Sequence, residues 1–158
     1  MTEREFTLAE ARELVPWLVA TFRTLELPRS RAKQLDAAIK EHSGNGNGNG
    51  NGNGNGNGNG NGNGNANANG NANANGSSNS QGQLERLQRA LREVSSEIET
   101  VVSDILDQGI LLKGVEPGLV DFPHDRDGRQ VYLCWREGES GIEFWHDVEV
   151  GFAGRRPL

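Results

Sequence analysis

The chain has 158 residues and a net charge of -6, which argues against nucleic acid as a partner because phosphate backbones are bound by clustered Lys and Arg. The first residues lack a secretion signal and no apolar run reaches the length of a bilayer, so we expect no membrane contact. Cys134 is the single cysteine, which excludes an internal disulfide and favours a reducing, cytoplasmic compartment.

Two helices are predicted near the start, within residues 7–42. Thr7 and Glu10 form a capping box, in which each side chain accepts from the other's backbone N–H. Pro16 lies within the first helix and predicts a kink or break near Val15, because proline lacks the N–H donor. A second, shorter helix is expected after Pro28. The first helix carries an apolar stripe at helical spacing, Leu8, Ala11, Val15, Leu18, Phe22 and Leu25.

Residues 44–83 consist almost entirely of Asn, Gly, Ala, Ser and Gln. Without large apolar side chains this segment has nothing to bury, so we expect a disordered insertion. The remaining residues are enough for one hydrophobic core, and residues 1–158 are therefore interpreted as a single domain.

A long helix is predicted over residues 84–108, ended by Gly109. Its apolar residues alternate at spacings of three and four, a coiled-coil-like seam formed by Leu84, Leu87, Leu91, Val94, Ile98, Val101 and Ile105. Two interpretations are open. The seam packs against a neighbouring helix, or it forms the interface of a homodimer or larger assembly.

Residues 110–158 change to the patterns of short strands and turns. Strands are expected at 119–122, 130–135 and 142–146, with Asp127-Gly128 as a hairpin turn and residues 137–141 as a looser turn. A fourth strand at 110–112 is possible. The predicted fold class is α+β: a helical hairpin or three-helix bundle packed on a small C-terminal antiparallel sheet of three to four strands.

Most chemically reactive side chains fall in this last segment. The candidate binding residues are Asp121, Cys134, Trp135, Glu139, Trp145, His146 and Arg155. Asp121, Glu139 and His146 are the candidate ligands of a divalent metal ion, and Cys134 adds a sulfur of the kind that zinc and iron bind. No two of these residues stand at a diagnostic spacing such as Cys-x-x-Cys, so no cofactor is identified.

Each candidate also has a structural interpretation. His146 can close a core strand as a hydrogen-bond donor, and Asp121 can pair with Arg129 or Arg136. Cys134 can behave as a small apolar residue. Arg155 and Arg156 form either an anion clamp or a solvated charge pair. His124, Asp125 and Asp127 fall in the predicted hairpin turn and are assigned to turn chemistry.

Several segments together resemble a bacterial domain-of-unknown-function family, number 2203. They are residues 118–123, 133–135, 138–139, 144–146 and 151–155, with residues 6–11 at the start. The resemblance covers both ends of the chain and omits the insertion. It implies a single bacterial cytoplasmic domain and transfers no activity and no catalytic residue.

Three functions are compatible with these features. The first is a non-enzymatic binding or interaction module with a protein or small-molecule partner. The second is a metal-dependent, hydrolytic enzyme that uses Asp121, Glu139 and His146. The third is a coiled-coil-like assembly subunit. The sequence does not identify a ligand or reaction.

Overall fold

The computed structural model describes residues 3–44 and 74–158. Two helices precede an antiparallel sheet whose five strands follow chain order, β1-β2-β3-β4-β5. A short 3₁₀ helix, Phe152–Gly154, lies between the last two strands. The elements are α1 Leu8–Gly44, α2 Ala74–Asp107, β1 Leu111–Val115, β2 Gly118–Arg126, β3 Arg129–Arg136, β4 Phe144–Asp147 and β5 Arg156–Pro157. The α+β class is thus confirmed.

α1 is a single helix, so the predicted division into two helices and a three-helix bundle is wrong. Pro16 and Pro28 both lie inside it, and each removes one backbone donor at a cost of about 3 kcal/mol. The helix continues because its apolar stripe is buried along this whole length. The predicted capping box is present, with Thr7 N donating to Glu10 at 2.7 Å and Glu10 N donating to Thr7 at 3.1 Å.

α2 runs antiparallel to α1. Its early part meets the end of α1 where His42 Nε2 lies 2.7 Å from the Ser80 carbonyl, and its end meets the start of the chain where Arg4 donates to the Gln108 carbonyl at 2.8 Å. The helix begins at Ala74, ten residues before the expected Leu84. The rest of the predicted insertion, residues 45–73, lies outside the described residues.

The sheet has five strands where three to four were expected. The Asp127-Gly128 hairpin is confirmed: both residues have positive φ, 55° and 79°, and Asp125 accepts from the Gly128 N–H at 3.0 Å. β1 pairs with β2, so the fourth strand that the sequence allowed near residues 110–112 is present. β5 was missed because two residues, one of them proline, carry no periodic pattern.

The core lies between the helix pair and one face of the sheet. β2, β3 and β4 contribute buried side chains to it, namely Val120, Phe122, Val131, Leu133, Trp135 and Trp145. Phe22 of α1 lies 5.9 Å from Trp135 between ring centroids. Gly118 is required where β2 crosses Phe22, because a Cβ there would lie 2.6 Å from the ring. On the helix side, the seam of α2 packs inside the domain, where Val94 and Ile105 are buried.

A charged pair joins α1 to the sheet at the edge of this core. Arg29 is 9% exposed and forms a two-point contact with Glu137, at 3.0 and 3.1 Å. Arg29 also donates to the carbonyls of Leu25 and Val115, and Glu137 accepts from the Gly118 N–H at 2.8 Å. The hydrogen bonds from Arg29 hold the pKa of Glu137 below its ordinary value. The pair thus ties the middle of α1 to β1, to β2 and to the turn that follows β3.

In the described part of the chain, neither helix carries an apolar stretch of the length that a bilayer crossing requires.

Candidate functional site

The face of the sheet opposite the helices carries the polar groups. Alternation along β3 sends Val131, Leu133 and Trp135 into the core and leaves Tyr132 and Cys134 on the other side. The register then places neighbours beside them: Cys134 pairs with Asp121 of β2, and Tyr132 pairs with His146 of β4. Three strands thereby bring the side chains of Asp121, Cys134 and His146 to one place, which we call the Asp-Cys-His cluster.

Asp121 and His146 form a buried pair. His146 Nε2 lies 3.0 Å from Asp121 Oδ1, and the two side chains are only 4% and 3% exposed. His146 Nδ1 lies 2.8 Å from the backbone carbonyl of Asp147. A carbonyl can only accept, so Nδ1 must donate, and the contact between Nε2 and Oδ1 must then hold a further proton. The pair therefore contains one bridging proton and no net charge.

Cys134 completes the cluster. Its Sγ, one imidazole nitrogen of His146 and one carboxylate oxygen of Asp121 all lie within 4.8 Å of one another, and all three residues are buried. Burial, together with the Asp121 carboxylate, raises the pKa of the Cys134 thiol to about 12. The sulfur is thus a neutral thiol at pH 7, and a neutral thiol is a poor nucleophile.

The three groups match the ligand chemistry of zinc. Zinc accepts Cys sulfur, His nitrogen and Asp oxygen at about 2.0–2.3 Å, which sets tetrahedral ligands about 3.3–3.8 Å apart. The His146 and Asp121 ligand atoms already lie 3.0 Å apart, and a separation at the 4.8 Å limit would need to shrink by only about 1 Å. The hydrogen bond from Nδ1 to the Asp147 carbonyl already orients His146 with Nε2 toward the other two groups, as outer-shell contacts do at metal sites.

A cleft of about 380 Å³ opens onto the cluster. Asp121 and His146 lie in its wall together with Tyr132, Lys113 and the segment that follows β4, residues 148–152. Burial and the nearby charges of Glu3 and Asp121 raise the pKa of Tyr132, which keeps its hydroxyl protonated. Lys113 Nζ lies 5.7 Å from the centre of the Tyr132 ring. A small molecule in the cleft would meet both of these donors.

Glu139 lies beside the cluster and is held by other residues. Its two carboxylate oxygens accept from Arg155 at 2.6 and 2.7 Å, and one also accepts from the Arg136 N–H at 2.8 Å. Burial acts to raise the pKa of Glu139, but these hydrogen bonds outweigh it and the pKa is lowered. Among the described residues, the group with metal-ligand spacing therefore contains Cys134 where Glu139 was expected.

The remaining candidates occupy structural positions. Trp135 and Trp145 lie in the core on the helix side of the sheet, and the Trp135 indole N–H donates to the Glu139 carbonyl at 3.1 Å. Asp121 pairs with His146 instead of the predicted Arg129 or Arg136, because Arg129 is bound to Asp147 at 2.7 Å. The predicted solvated pair of Arg155 and Arg156 is also wrong for Arg155, whose side chain is 13% exposed and bound to Glu139.

The turn residues behave as predicted, apart from His124. Asp125 and Asp127 shape the hairpin, whereas His124 Nδ1 lies 2.7 Å from the carbonyl of Phe6 and joins β2 to the start of the chain. Three residues of structural interest were not predicted from the sequence. Lys113 lines the cleft, and Arg29 and Glu137 form the charged pair that joins α1 to the sheet. Arg29 had a signal in the sequence, because it stands four residues after Leu25 and so continues the apolar stripe of α1 with a charge.

A family model of uncharacterized conserved proteins (DUF2203) matches residues 4–158. The chain therefore belongs to this family, as the segments at its two ends indicated. Comparison with curated proteins gives no match. Comparison with solved structures also gives no match.

Proposed function

We propose that this protein is a binding module for one divalent transition-metal ion of the zinc type, held by Asp121, Cys134 and His146. The observation that carries the proposal is the convergence of three buried ligand groups, from three strands, within 4.8 Å. Burying these polar groups in place of apolar side chains costs stability, and a functional role would account for that cost. A sulfur, a nitrogen and an oxygen ligand together favour zinc over magnesium or calcium, which prefer oxygen alone.

The charges of the cluster support the same ion. The bridging proton of the Asp121–His146 pair occupies the space between Nε2 and Oδ1, where both atoms would face an ion. A divalent ion that displaces this proton and the thiol proton leaves the net charge of the site unchanged. The site can then take up the ion without adding a charge to the protein interior, which is the main cost of burying ions.

The test is a zinc titration of protein freed of metal, followed by calorimetry or by competition with a chromophoric chelator. We expect wild type to bind one ion and Cys134→Ser to bind at least about 100-fold more weakly, because the variant keeps the size of the side chain but loses the thiolate. His42→Gln is the matched control: it removes a half-buried histidine at the end of α1, outside the cluster, and should bind as wild type does. Wild type that takes up no zinc, or a Cys134→Ser variant that binds equally well, would refute the proposal.

A second candidate is a metal-dependent hydrolytic enzyme at the same cluster. The feature that favours it is the cleft, since three protein ligands leave one position of a tetrahedral ion for water or substrate. In this version Glu139 is not a ligand, because Arg155 holds both of its oxygens. Zinc-loaded wild type should hydrolyse activated esters or phosphate esters faster than Cys134→Ser treated in the same way. Equal rates would exclude hydrolysis at this cluster and leave metal binding as the proposed function.

We also propose that the protein acts in the bacterial cytoplasm, where a thiol such as Cys134 stays reduced and available to a metal. A homodimer or larger assembly through α2 is supported only by surface outside the α1 contact, such as Leu106, which is 49% exposed. Sedimentation across a range of protein concentrations tests this proposal, and a constant monomer mass would reject it.

A further inference from the structure

Arg155 lies near the cluster, and one of its three side-chain nitrogens has no hydrogen-bond partner among the described residues. Its two terminal nitrogens bind Glu139, but its Nε is buried and, within the described residues, has no hydrogen-bond partner. A buried donor without a partner loses its hydrogen bond to water and gains none in return, so such groups are rare and call for an explanation.

The guanidinium of Arg155 is held firmly in this position. It lies against two aromatic rings, 4.2 Å from the centroid of Phe144 and 4.4 Å from that of Phe152. Glu139, which binds its two terminal nitrogens, is itself anchored by the backbone N–H of Arg136. Two ring contacts and a two-point ion pair thus fix the guanidinium and leave little freedom for Nε to turn toward solvent.

The register of the sheet places Cys134 on the same face as this arginine. Phe144, which carries the guanidinium on its ring, is the residue of β4 that pairs with Cys134 of β3. Burial acts to lower the pKa of Arg155, but the hydrogen bonds to Glu139 outweigh it and the pKa is raised. A neutral thiol is a weak acceptor, whereas a thiolate bound to a metal accepts strongly.

We propose that Arg155 Nε–H donates a hydrogen bond to the sulfur of Cys134 when that sulfur is bound to the metal ion, and that Arg155 is thus a positioning residue of the site. This inference rests on the metal-binding function proposed above. It explains why a buried N–H has no partner among the described residues, and why Glu139 is bound to Arg155 instead of joining the ligands. Contacts of this kind typically change metal affinity by about 10–100-fold.

Cobalt(II) is the probe, because its bond to a thiolate gives a charge-transfer absorption band. Two variants isolate the arginine: Glu139→Gln, and the double variant Arg155→Met/Glu139→Gln, in which neither charge of the pair is left without its partner and Met can pack against the two rings. Relative to Glu139→Gln, we expect the double variant to bind cobalt about 10–100-fold more weakly. We also expect its band at lower energy, because the hydrogen bond stabilises the sulfur electrons from which the transition starts. Arg156→Met, at an exposed neighbouring arginine, should change neither property.

The outcomes separate the two proposals. If wild type shows no sulfur-to-cobalt band, the metal-binding function fails and this inference fails with it. If wild type shows the band and the double variant has the same affinity and band energy, only the role of Arg155 is refuted. Should the double variant not fold, wild type loaded with ¹¹³Cd decides the question by NMR. Scalar coupling between the cadmium and the Arg155 Nε–H proton is then expected across the hydrogen bond, and its absence overturns the inference.

Discussion

The two faces of the sheet use the same strands in opposite ways. Toward the helices, β3 presents Leu133 and Trp135, which are fully buried among apolar side chains. Away from the helices it presents Cys134, which is equally buried but has Asp121 and His146 as neighbours. Burial is thus the same on both faces, and only the chemistry of the buried groups differs. The first face accounts for stability, whereas the second contains groups that stability alone does not require.

The largest change in unfolding free energy is expected from a substitution that disrupts the face toward the helices and leaves the Asp-Cys-His cluster intact. Trp135→Ala removes the ring that packs on Phe22 and should lower the free energy of unfolding by about 3–5 kcal/mol, as large core truncations do. Cys134→Ala, one residue away on the other face, should cost only about 1 kcal/mol in metal-free protein. Urea denaturation followed by circular dichroism measures both. Equal losses would show that the cluster is part of the structural core.

A smaller effect is expected at the charged pair on the helix side. Arg29→Met leaves Glu137 without its buried partner and should cost about 2–3 kcal/mol, somewhat below the range for fully buried pairs because Glu137 is partly exposed. The matched control is Lys33→Met, one turn further along α1, which breaks an exposed pair with Glu116. We expect that control to change the unfolding free energy by less than about 1 kcal/mol. Equal effects of the two substitutions in chemical denaturation would contradict the assigned role of Arg29.

The smallest effect concerns pH and the same pair. The hydrogen bonds from Arg29 hold the pKa of Glu137 below its ordinary value of 4.5, so the folded protein binds a proton there less readily than the unfolded chain does. The stabilisation is therefore complete above pH 4.5 and is lost as the pH falls below it. Glu137→Gln should be less stable than wild type at pH 7, and the difference should shrink in acid. Thermal unfolding over a pH series measures this difference, and a constant gap would refute the assignment.

Local patterns in the sequence predicted much of the fold. The capping box at Thr7, the stripe of α1, the stop at Gly109 and the hairpin at Asp127-Gly128 each depend on neighbouring residues, and each is present. Errors arose where packing decides. α1 continues through Pro16 and Pro28, α2 begins before its apolar seam, and β5 is only two residues long.

The candidate site was predicted in part. Alternation placed Cys134 on one side of β3, but the sequence cannot give the register between strands, and register decides that Cys134 lies beside Asp121. Glu139 and His146 looked equivalent as ligands in the sequence. The structure separates them through Arg155, which is 16 residues from Glu139 along the chain and reaches it only because β5 pairs with β4.

The alternation of β3 also bears on how such a chain can evolve. Positions 131, 133 and 135 face the helices, while positions 132 and 134 face the opposite side of the sheet, so selection for folding and selection for the proposed metal binding would act on interleaved sets of codons. Each set can drift without disturbing the other. An insertion or deletion of one codon within the strand would move the following core side chains to the cluster face and the cluster side chains into the core. A change of length at the Asp127-Gly128 turn would leave both sets on their own faces.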